Sequence, residues 1–235
     1  MNSQQLSVLH PLIVIPARNE AASIVSVIHD IKSKVAAPIV VVDDNSQDNT
    51  FELARQNGAI VLNLALPLGA WGATQTGIRY ALQQGYTTVV TMDADGQHES
   101  AYLNDILEPL RLGSADVVIG ACPQRASKAR LAAWAFFRWM AGFDLADLTS
   151  GFRAYNHHAL EVLASPEATL LDYQDIGVLI MLSRANLKII EVPVQMRARQ
   201  DGASRIFASW WAVGRYLAQT ALLCVAQWGR KRATT

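Results

Sequence analysis

Two aspartates one residue apart, Asp93 and Asp95, follow an apolar run of the chain and precede Gly96, Gln97 and His98. A carboxylate at the end of a buried strand is costly unless it faces water, a cation or another partner. Because residues i and i+2 of an extended strand point the same way, the two carboxylates could converge on one divalent cation. Mg²⁺ and Mn²⁺ prefer oxygen ligands, and the Gln97 amide oxygen could be a third. The spacing predicts a metal site, and an acidic surface turn is the simpler alternative.

A second acidic pair, Asp43 and Asp44, also follows an apolar run and precedes the segment NSQDNT. An acid at the end of the second strand of an α/β sheet suits a ribose or a base edge. The first turn, PARNE, lacks the GxGxxG pattern of dinucleotide-binding proteins, which argues against NAD. A turn and helix cap built by Asp44, Asn45 and Asp48 is the alternative interpretation.

Two groups of basic residues could meet an anion. Arg199 and Arg205 flank the glycine-bearing segment QDGAS, and such a loop could fold over a diphosphate. A solvated charged loop is the alternative there. Arg125 and Arg130, with Lys128 between them, precede an aromatic helical segment and could receive an anionic acceptor or lipid headgroups.

Short β-branched runs alternate with helical patterns along the first half of the chain. The runs predict five strands, at 11–16, 38–44, 58–64, 87–95 and 115–121. The helical patterns between them begin after Asn19 and Asp48, two candidate N-caps, and recur over 69–84 and 102–110. This alternation predicts an α/β fold, with a mostly parallel, Rossmann-like sheet covered by helices on both faces. Both acid pairs then lie at the carboxyl ends of strands, where ligands bind to such sheets.

The second half of the chain is less regular. Residues 149–156 predict a turn into a short strand, 176–185 a buried helix, and 187–196, which contain a proline, an edge strand. Residues 126–141 also have a helical pattern. A long apolar helix is predicted over 206–228, with aromatic side chains and a basic GRKR segment after it. This C-terminal apolar helix would suit the surface of an anionic leaflet, and docking on the core or on another subunit is the alternative.

The composition of the 235 residues argues against several classes of protein. Charged residues make up 17% of the chain and the net charge is zero, so there is no global basic field of the kind that gathers nucleic acid. Two cysteines are too few for a disulfide framework and fit a reducing cytoplasm. The chain has no basic, apolar leader and no uncharged apolar run of about 18 residues. We therefore expect a cytoplasmic protein without a signal peptide or a spanning helix.

Taken in order, six segments resemble those of family 2 glycosyltransferases of GT-A fold. They are VIPARNEAASI, VVVDDNSQDNT, LPLGAWGATQTGIRYALQQGY, MDADGQH, DLTSGFRAYN and EVPVQMRARQDGASRI. The likeness is strongest to the branch that contains dolichyl-phosphate mannosyltransferases and polyprenyl-phosphate sugar transferases, and it covers about residues 10–207. Phosphatases of the haloacid dehalogenase type share a DxDG motif after a strand. The ordered set of segments favours the glycosyltransferases.

The resemblance implies a role for particular residues. It implies a catalytic role for Asp95 and metal binding by Asp93, Asp95 and Gln97. The substrate-binding residues that it implies are Pro16, Arg18 and Glu20 at the nucleotide, Asp44 at the nucleoside, Asp93, Arg199, Ser204 and Arg205 around the donor diphosphate, and Arg125 and Arg130 near the acceptor. Two positions depart from the family pattern, because Arg18 stands where an aromatic is common and Arg205 replaces a usual lysine.

The activity that the resemblance implies is an inverting transfer of a sugar from a UDP- or GDP-sugar to a polyprenyl phosphate, dependent on Mg²⁺ or Mn²⁺. Such an enzyme would serve glycolipid or polysaccharide assembly, peripherally at the inner face of the cell membrane. Transfer to a saccharide hydroxyl of a lipid-linked intermediate is an alternative, and it needs a general base. Asp175 lies where many relatives keep an acid, and a cap on the following helix is its other interpretation.

A non-catalytic alternative is a nucleotide-sugar-binding subunit of a membrane complex, and a homo-oligomer is also compatible with the sequence. The expected organisation is a catalytic domain over 1–207 followed by an amphipathic or docking helix and basic tail over 208–235.

Overall fold

The computed structural model of the chain describes residues 9–125, 134, 145–171 and 175–197. Several predicted features lie outside these residues, namely Arg130, Arg199, Ser204, Arg205, most of the helical pattern at 126–141 and the C-terminal helix. Arg125 is described through its backbone, at the end of a short 3₁₀ turn.

Seven strands of the described residues form one mixed sheet. They are β1 (Pro11–Ala17), β2 (Ile39–Asp43), β3 (Ile60–Asn63), β4 (Thr88–Thr91), β5 (Val117–Ala121), β6 (Arg153–Asn156) and β7 (Ile189–Pro193). Their order across the sheet is β3-β2-β1-β4-β6-β5-β7. Only β6 runs antiparallel to its neighbours β4 and β5, and every other pairing between these strands is parallel. The predicted α/β class and mostly parallel sheet are therefore confirmed.

Helices cover both faces of the sheet within the described part of the chain. They are α1 (Ile24–Lys34), α2 (Thr50–Gln56), α3 (Gly69–Gln83), α4 (Leu103–Arg111), α5 (His157–Ala164) and α6 (Ile176–Arg184). The apolar faces of α1 and α4 pack with inward residues of the strands on one side, among them Ile13, Val41 and Val90. The apolar faces of α3, α5 and α6 pack on the other side, against residues such as Val14 and Val89. Burial of these two apolar layers is the main force that holds the sheet and helices together.

Four details of the predicted elements were wrong. β4 ends at Thr91, short of the two aspartates that follow it. The N-cap of α1 is Ser23, and Asn19 lies earlier in a loop with a φ of 55°. Helix α5 was missed, because its N-cap Asn156 is also the last residue of β6. β3 is a half-exposed edge strand rather than one covered on both faces.

Among the described residues, no helix combines the length and apolar character needed to cross a bilayer.

Candidate active site

The loop after β4 carries the residues predicted to bind a metal. Asp93, Asp95 and Gln97 are each half-buried, whereas Met92 and Ala94, on either side of Asp93, are buried. The side chain of Asp93 is 46% exposed. Three oxygen-bearing side chains therefore lie at the solvent edge of the sheet, where the carboxyl end of β4 meets water.

The path of this loop corrects the geometric basis of the prediction. An extended strand was expected to align the two carboxylates, yet the chain turns over residues 94–96, and Gly96 has a φ of 75°. The carboxylate of Asp95 closes the turn, because its Oδ1 accepts the backbone N–H of Gln97 at 3.1 Å. Glycine suits this position because an L side chain is strained at a positive φ. The turn, rather than the pleat of a strand, places Asp95 at the edge.

The buried side chain of His98 supports the same loop through a hydrogen bond. Its side chain has no exposed surface, and its Nδ1 accepts the backbone N–H of Asp93 at 3.0 Å. The imidazole ring stacks on Phe152 with a centroid separation of 5.3 Å. The backbone of His98 also forms a bridge to Met196, and the N–H of Arg197 donates to the carbonyl of Gln97 at 2.9 Å.

Gly151 lies against the carboxylate of Asp93. A Cβ added at position 151 would fall 2.6 Å from Oδ1 and 2.9 Å from Oδ2 of Asp93. The Thr91 hydroxyl donates to the Gly151 carbonyl at 2.7 Å, which fixes the glycine beside the end of β4. Only a glycine leaves the carboxylate this room.

Two acidic residues, the half-buried Glu191 and the fully buried Asp147, hold the segment before Gly151 in place. The carboxylate of Glu191 accepts the backbone N–H groups of Ala146 and Asp147, both at 2.7 Å. The fully buried Asp147 accepts the N–H of Cys122 at 3.2 Å. The segment is thus hydrogen-bonded to Glu191, in the middle of β7, and to Cys122, the residue after β5.

Arg153, the first residue of β6, is also fully buried. Its guanidinium donates to the carbonyls of Ser150 at 2.8 Å and Leu148 at 3.0 Å. These bonds satisfy carbonyl groups that burial would otherwise leave unpaired at a cost of about 1–3 kcal/mol each. They shape the turn that presents Gly151 to Asp93.

Asp44, predicted to meet the nucleoside, anchors the start of α3. Its two carboxylate oxygens accept the N–H of Leu68 at 2.6 Å and the N–H of Gly69 at 3.0 Å. The residue is 3% exposed. Asp43 is equally buried and accepts a hydrogen bond from the hydroxyl of Ser46. Asp44 therefore caps the start of α3 rather than the next helix along the chain, whereas Asp48 of the same predicted cap accepts the N–H of Thr50, the first residue of α2.

The loops after β1 and β2 are joined to each other by hydrogen bonds. The N–H of Asn19 donates to Ser46 Oγ at 2.9 Å, and the side-chain oxygen of Asn19 accepts the N–H of Gln47 at 2.7 Å. The N–H of Glu20 donates to the Thr50 hydroxyl at 2.8 Å. These long-range bonds make the two loops one rigid wall at the edge of the sheet.

The three residues predicted to contact the nucleotide lie along this wall at the end of β1. Pro16 and Glu20 are half-buried, and Arg18 is exposed. The carboxylate of Glu20 accepts the Ser23 hydroxyl at 3.2 Å, one turn before α1. Arg18 is therefore the one of the three whose side chain stands most fully in solvent.

Asp48 accepts hydrogen bonds from the same two loops, and its pKa is shifted. Its carboxylate accepts the N–H of Ala21 at 3.1 Å and the N–H of Thr50 at 3.0 Å. Burial raises the pKa of Asp48, but the Thr50 hydroxyl and the backbone N–H groups together hold it below the ordinary value of 3.8. The ionised carboxylate is therefore the form of Asp48 that accepts these hydrogen bonds from the two loops.

Asp175, the candidate general base, is the N-cap of α6. Its Oδ1 accepts the backbone N–H of Gly177 at 3.3 Å. The helix-cap interpretation accounts for this acid without a catalytic role, since an N-cap carboxylate satisfies a backbone donor and the helix dipole.

The residues at the edge of β4 fit a hard divalent cation that arrives with phosphate. No cluster of three or more His, Cys, Asp or Glu side chains that could hold a metal occurs among the described residues. Mg²⁺ is usually bound through one or two carboxylates together with substrate phosphates, rather than by an all-protein cage. Asp93 and Asp95, with Gln97 beside them, match that donor set.

The sequence singled out the acids of the candidate site but not the residues that contact them. His98, Gly151 and Arg153 were present in the quoted segments, but no role was assigned to them. The adjacency of His98 to Gln97 and the lone glycine before Phe152 were the available signals.

The strand order, the reversed β6 and the acidic loops after β2 and β4 define a GT-A fold. Glucosyl-3-phosphoglycerate synthase from Mycobacterium tuberculosis, solved with Mn²⁺, UDP and phosphoglyceric acid, matches with a TM-score of 0.73 over 92% of this chain and 78% of that chain. Its complex with Mg²⁺ and UDP gives 0.71 over 94% and 80%. Sequence identity to both is 23%, so this likeness concerns the fold.

The family follows from the sequence comparisons. The model described as glycosyl transferase family 2 matches residues 12–161. The undecaprenyl-phosphate mannosyltransferase of Micrococcus luteus is 31% identical over 93% of this chain and 93% of its own. The polyprenol monophosphomannose synthase of Mycolicibacterium smegmatis is 29% identical over 93% of this chain and 86% of its own. The chain belongs to glycosyltransferase family 2 and is a glycosyltransferase, which confirms the predicted family.

Proposed function

We propose that the enzyme transfers a sugar from a nucleotide-sugar donor to a polyprenyl phosphate, with inversion at the anomeric carbon and with Mg²⁺ or Mn²⁺ as cofactor. The observation that carries this proposal is the half-exposed Asp93–Asp95–Gln97 loop, which lies beside the bonded loops of β1 and β2 at one edge of the sheet. The names of the two relatives, each an enzyme of polyprenyl phosphates, support this acceptor.

The chemistry needs stabilisation of a leaving diphosphate. Negative charge grows on the diphosphate as the bond to the sugar breaks, and Asp93 and Asp95 would hold a divalent cation that supplies compensating charge there. Arg199 and Arg205 provide further positive charge on the same group, and Ser204 a hydroxyl donor. Pro16, Arg18, Glu20 and Asp44 line the nucleotide side. Gln97 contributes an amide oxygen to the metal.

The acceptor determines whether the enzyme needs a base. A phosphate monoester oxygen is already ionised at neutral pH and attacks without losing a proton, whereas a saccharide hydroxyl needs a general base within hydrogen-bond reach. The carboxylate of Asp175 is engaged at the start of α6. This favours the phosphate acceptor over the hydroxyl of a lipid-linked saccharide. Attack on the face opposite the leaving group inverts the anomeric configuration.

The proposal extends to location and organisation. A polyprenyl phosphate resides in a membrane, so the enzyme acts as a peripheral protein at the cytoplasmic face. Residues 1–207 form the catalytic domain. The basic segment after the apolar 208–228 stretch attracts anionic headgroups, and Arg125 and Arg130 meet the acceptor phosphate.

Transfer by the purified full-length chain tests the proposal. A panel of UDP- and GDP-sugars with Mn²⁺ is first ranked by thermal shift, since a ligand that binds only the folded state raises its melting temperature. The best donor is then incubated with a short polyprenyl phosphate, with the free polyprenol, or with a saccharide carried on polyprenyl diphosphate. We expect a sugar phosphate product from the first acceptor alone, with inverted anomeric configuration by NMR.

Two results would overturn the proposal. Transfer to the lipid-linked saccharide with none to the phosphate would establish the hydroxyl acceptor. Donor binding with neither transfer nor donor hydrolysis, for every sugar of the panel, would indicate a non-catalytic binding subunit.

A further inference from the structure

His98 contacts both ends of one residue, Asp93. Its Nδ1 lies 3.0 Å from the backbone nitrogen of Asp93, and its Nε2 lies 3.5 Å from Oδ2 of the Asp93 carboxylate. A backbone N–H can only donate, so Nδ1 is the acceptor and the proton of the neutral ring is on Nε2. The ring therefore holds the backbone of Asp93 and turns its N–H side toward the carboxylate.

The position of the ring is itself fixed. His98 is buried in the core, and its imidazole lies nearly parallel to the Phe152 ring, with an interplanar angle of 21°. Phe152 is fully buried, and a Cβ at Gly120 would fall 2.7 Å from its ring. Because Phe152 has no exposed surface and packs closely against Gly120, a shift of the stacked imidazole would disturb the core.

The carboxylate of Asp93 is confined from a second side by Gly151, at the distances already given. The carboxylate of Asp93 thus faces the buried imidazole of His98 on one side and the backbone of Gly151 on another, while 46% of the Asp93 side chain stays exposed. A carboxylate held in this way has one preferred orientation before any ligand arrives, which lowers the entropy cost of binding.

We propose that His98 is a positioning residue that orients Asp93 for the metal, through the hydrogen bond at Nδ1. This rests on the proposed function, because it takes Asp93 to be a metal ligand. Groups that orient a metal ligand from outside the coordination sphere commonly change metal affinity by about 10–100-fold when they are replaced. The role belongs to the acceptor atom of His98 and not merely to the bulk of its ring.

Three substitutions separate the acceptor atom from the ring. His98→Phe keeps an aromatic ring on Phe152 and removes the acceptor. His98→Asn keeps an acceptor, because the asparagine Oδ1 is bonded to Cγ as Nδ1 is in histidine. His98→Gln places its amide oxygen one bond further out, near the position of Nε2. His158→Phe, at a histidine whose side chain is 72% exposed on α5, is the matched control.

The affinity for Mn²⁺ in the presence of UDP or GDP is measured from the EPR signal of free Mn²⁺. The melting temperature of the metal-free protein is measured alongside. We expect His98→Phe to weaken Mn²⁺ binding by about 10–100-fold, and His98→Asn and His158→Phe to retain the wild-type affinity. Where His98→Phe does not fold, the comparison of His98→Asn with His98→Gln decides, and asparagine must bind Mn²⁺ more tightly.

If the wild type binds Mn²⁺ with nucleotide and His98→Phe binds it equally well, His98 has no positioning role and the proposed function stands. If asparagine and glutamine weaken binding equally, the acceptor at Nδ1 is not the determinant. If the wild type binds no Mn²⁺ with either nucleotide, the metal-dependent function itself is wrong, and the role of His98 falls with it.

Discussion

Gly151 and the carboxylate of Asp93 are packed so closely that a single methyl group between them would collide with both oxygens, at 2.6 and 2.9 Å. The two residues lie 58 positions apart in the chain (151 − 93) and meet because β6 pairs with β4. A backbone segment far from the acidic motif therefore forms part of the wall of the predicted metal site.

Gly151→Ala should lower activity while the fold survives. The backbone at 151 does not take a positive φ, and the atoms met by the new Cβ belong to a side chain that can rotate away. A displaced Asp93 is then misplaced for the metal, and we expect transfer to fall by about 10–100-fold. Steady-state transfer at several Mn²⁺ concentrations, together with the melting temperature, checks this.

Gly77→Ala is the contrasting control. A Cβ at Gly77 in α3 would fall 2.3 Å from Cγ1 of Val14, in the core layer between α3 and the sheet. Overpacking of this kind costs about 1–3 kcal/mol. We expect a lower melting temperature with activity per folded molecule retained. Equal activity of Gly151→Ala and wild type would show that the contact with Asp93 is irrelevant to function.

Asp95→Asn should keep the hydrogen bond that closes the turn and remove the negative charge of the side chain. An asparagine Oδ1 can still accept the N–H of Gln97, so the loop and the melting temperature should be preserved. The lost negative charge removes a ligand for a hard cation. We expect transfer and Mn²⁺-dependent thermal stabilisation by nucleotide to be abolished. Full turnover with metal present would exclude Asp95 as a ligand.

Asp175→Asn tests the choice of acceptor. Asparagine is as good an N-cap as aspartate, so α6 should remain intact. Loss of a true general base typically costs about 10²–10⁴-fold in rate. With a phosphate acceptor we expect a moderate decrease of less than about tenfold, measured as kcat at saturating acceptor. A larger loss at an unchanged melting temperature would make Asp175 a base.

Asp48 should make stability depend on acidic pH. Its folded pKa lies below the ordinary value of 3.8, so its contribution to stability is complete above that value and is lost as pH falls through the lower folded pKa. Urea unfolding between pH 3 and pH 7, for wild type and Asp48→Asn, measures this. We expect the difference in the free energy of unfolding between the two proteins to become smaller as the pH falls below 3.8. A difference in the free energy of unfolding that does not change with pH would show that the Asp48 carboxylate does not contribute to stability.

The sheet could be predicted from the sequence because its central strands are short β-branched runs buried on both faces. Val40, Val41 and Val42 illustrate this pattern, since all three are fully buried in β2. The end of β4 could not be predicted as well. Asp93 and Asp95 keep the alternation of a strand, but the turn at Gly96 depends on hydrogen bonds that a periodicity does not reveal.

The acidic residues of the site were predictable because charges at the ends of apolar runs stand out. Their supports were not, because the roles of His98 and Gly151 depend on contacts with Phe152 and Asp93 that only the folded sheet creates. Asp44 shows a further limit. Its type and place suit a ligand and a cap equally well, and only the structure reveals the bonds to the start of α3.

The proposed mechanism requires that Asp93 and Asp95 bind the divalent cation that accompanies the donor diphosphate. Crystals of the full-length protein grown with Mn²⁺ and the nucleotide that stabilises it most, with anomalous data collected at the manganese edge, test it most directly. We expect one anomalous peak coordinated by both carboxylates and by phosphate oxygens of the nucleotide. Ordered nucleotide with no manganese beside either aspartate would contradict it.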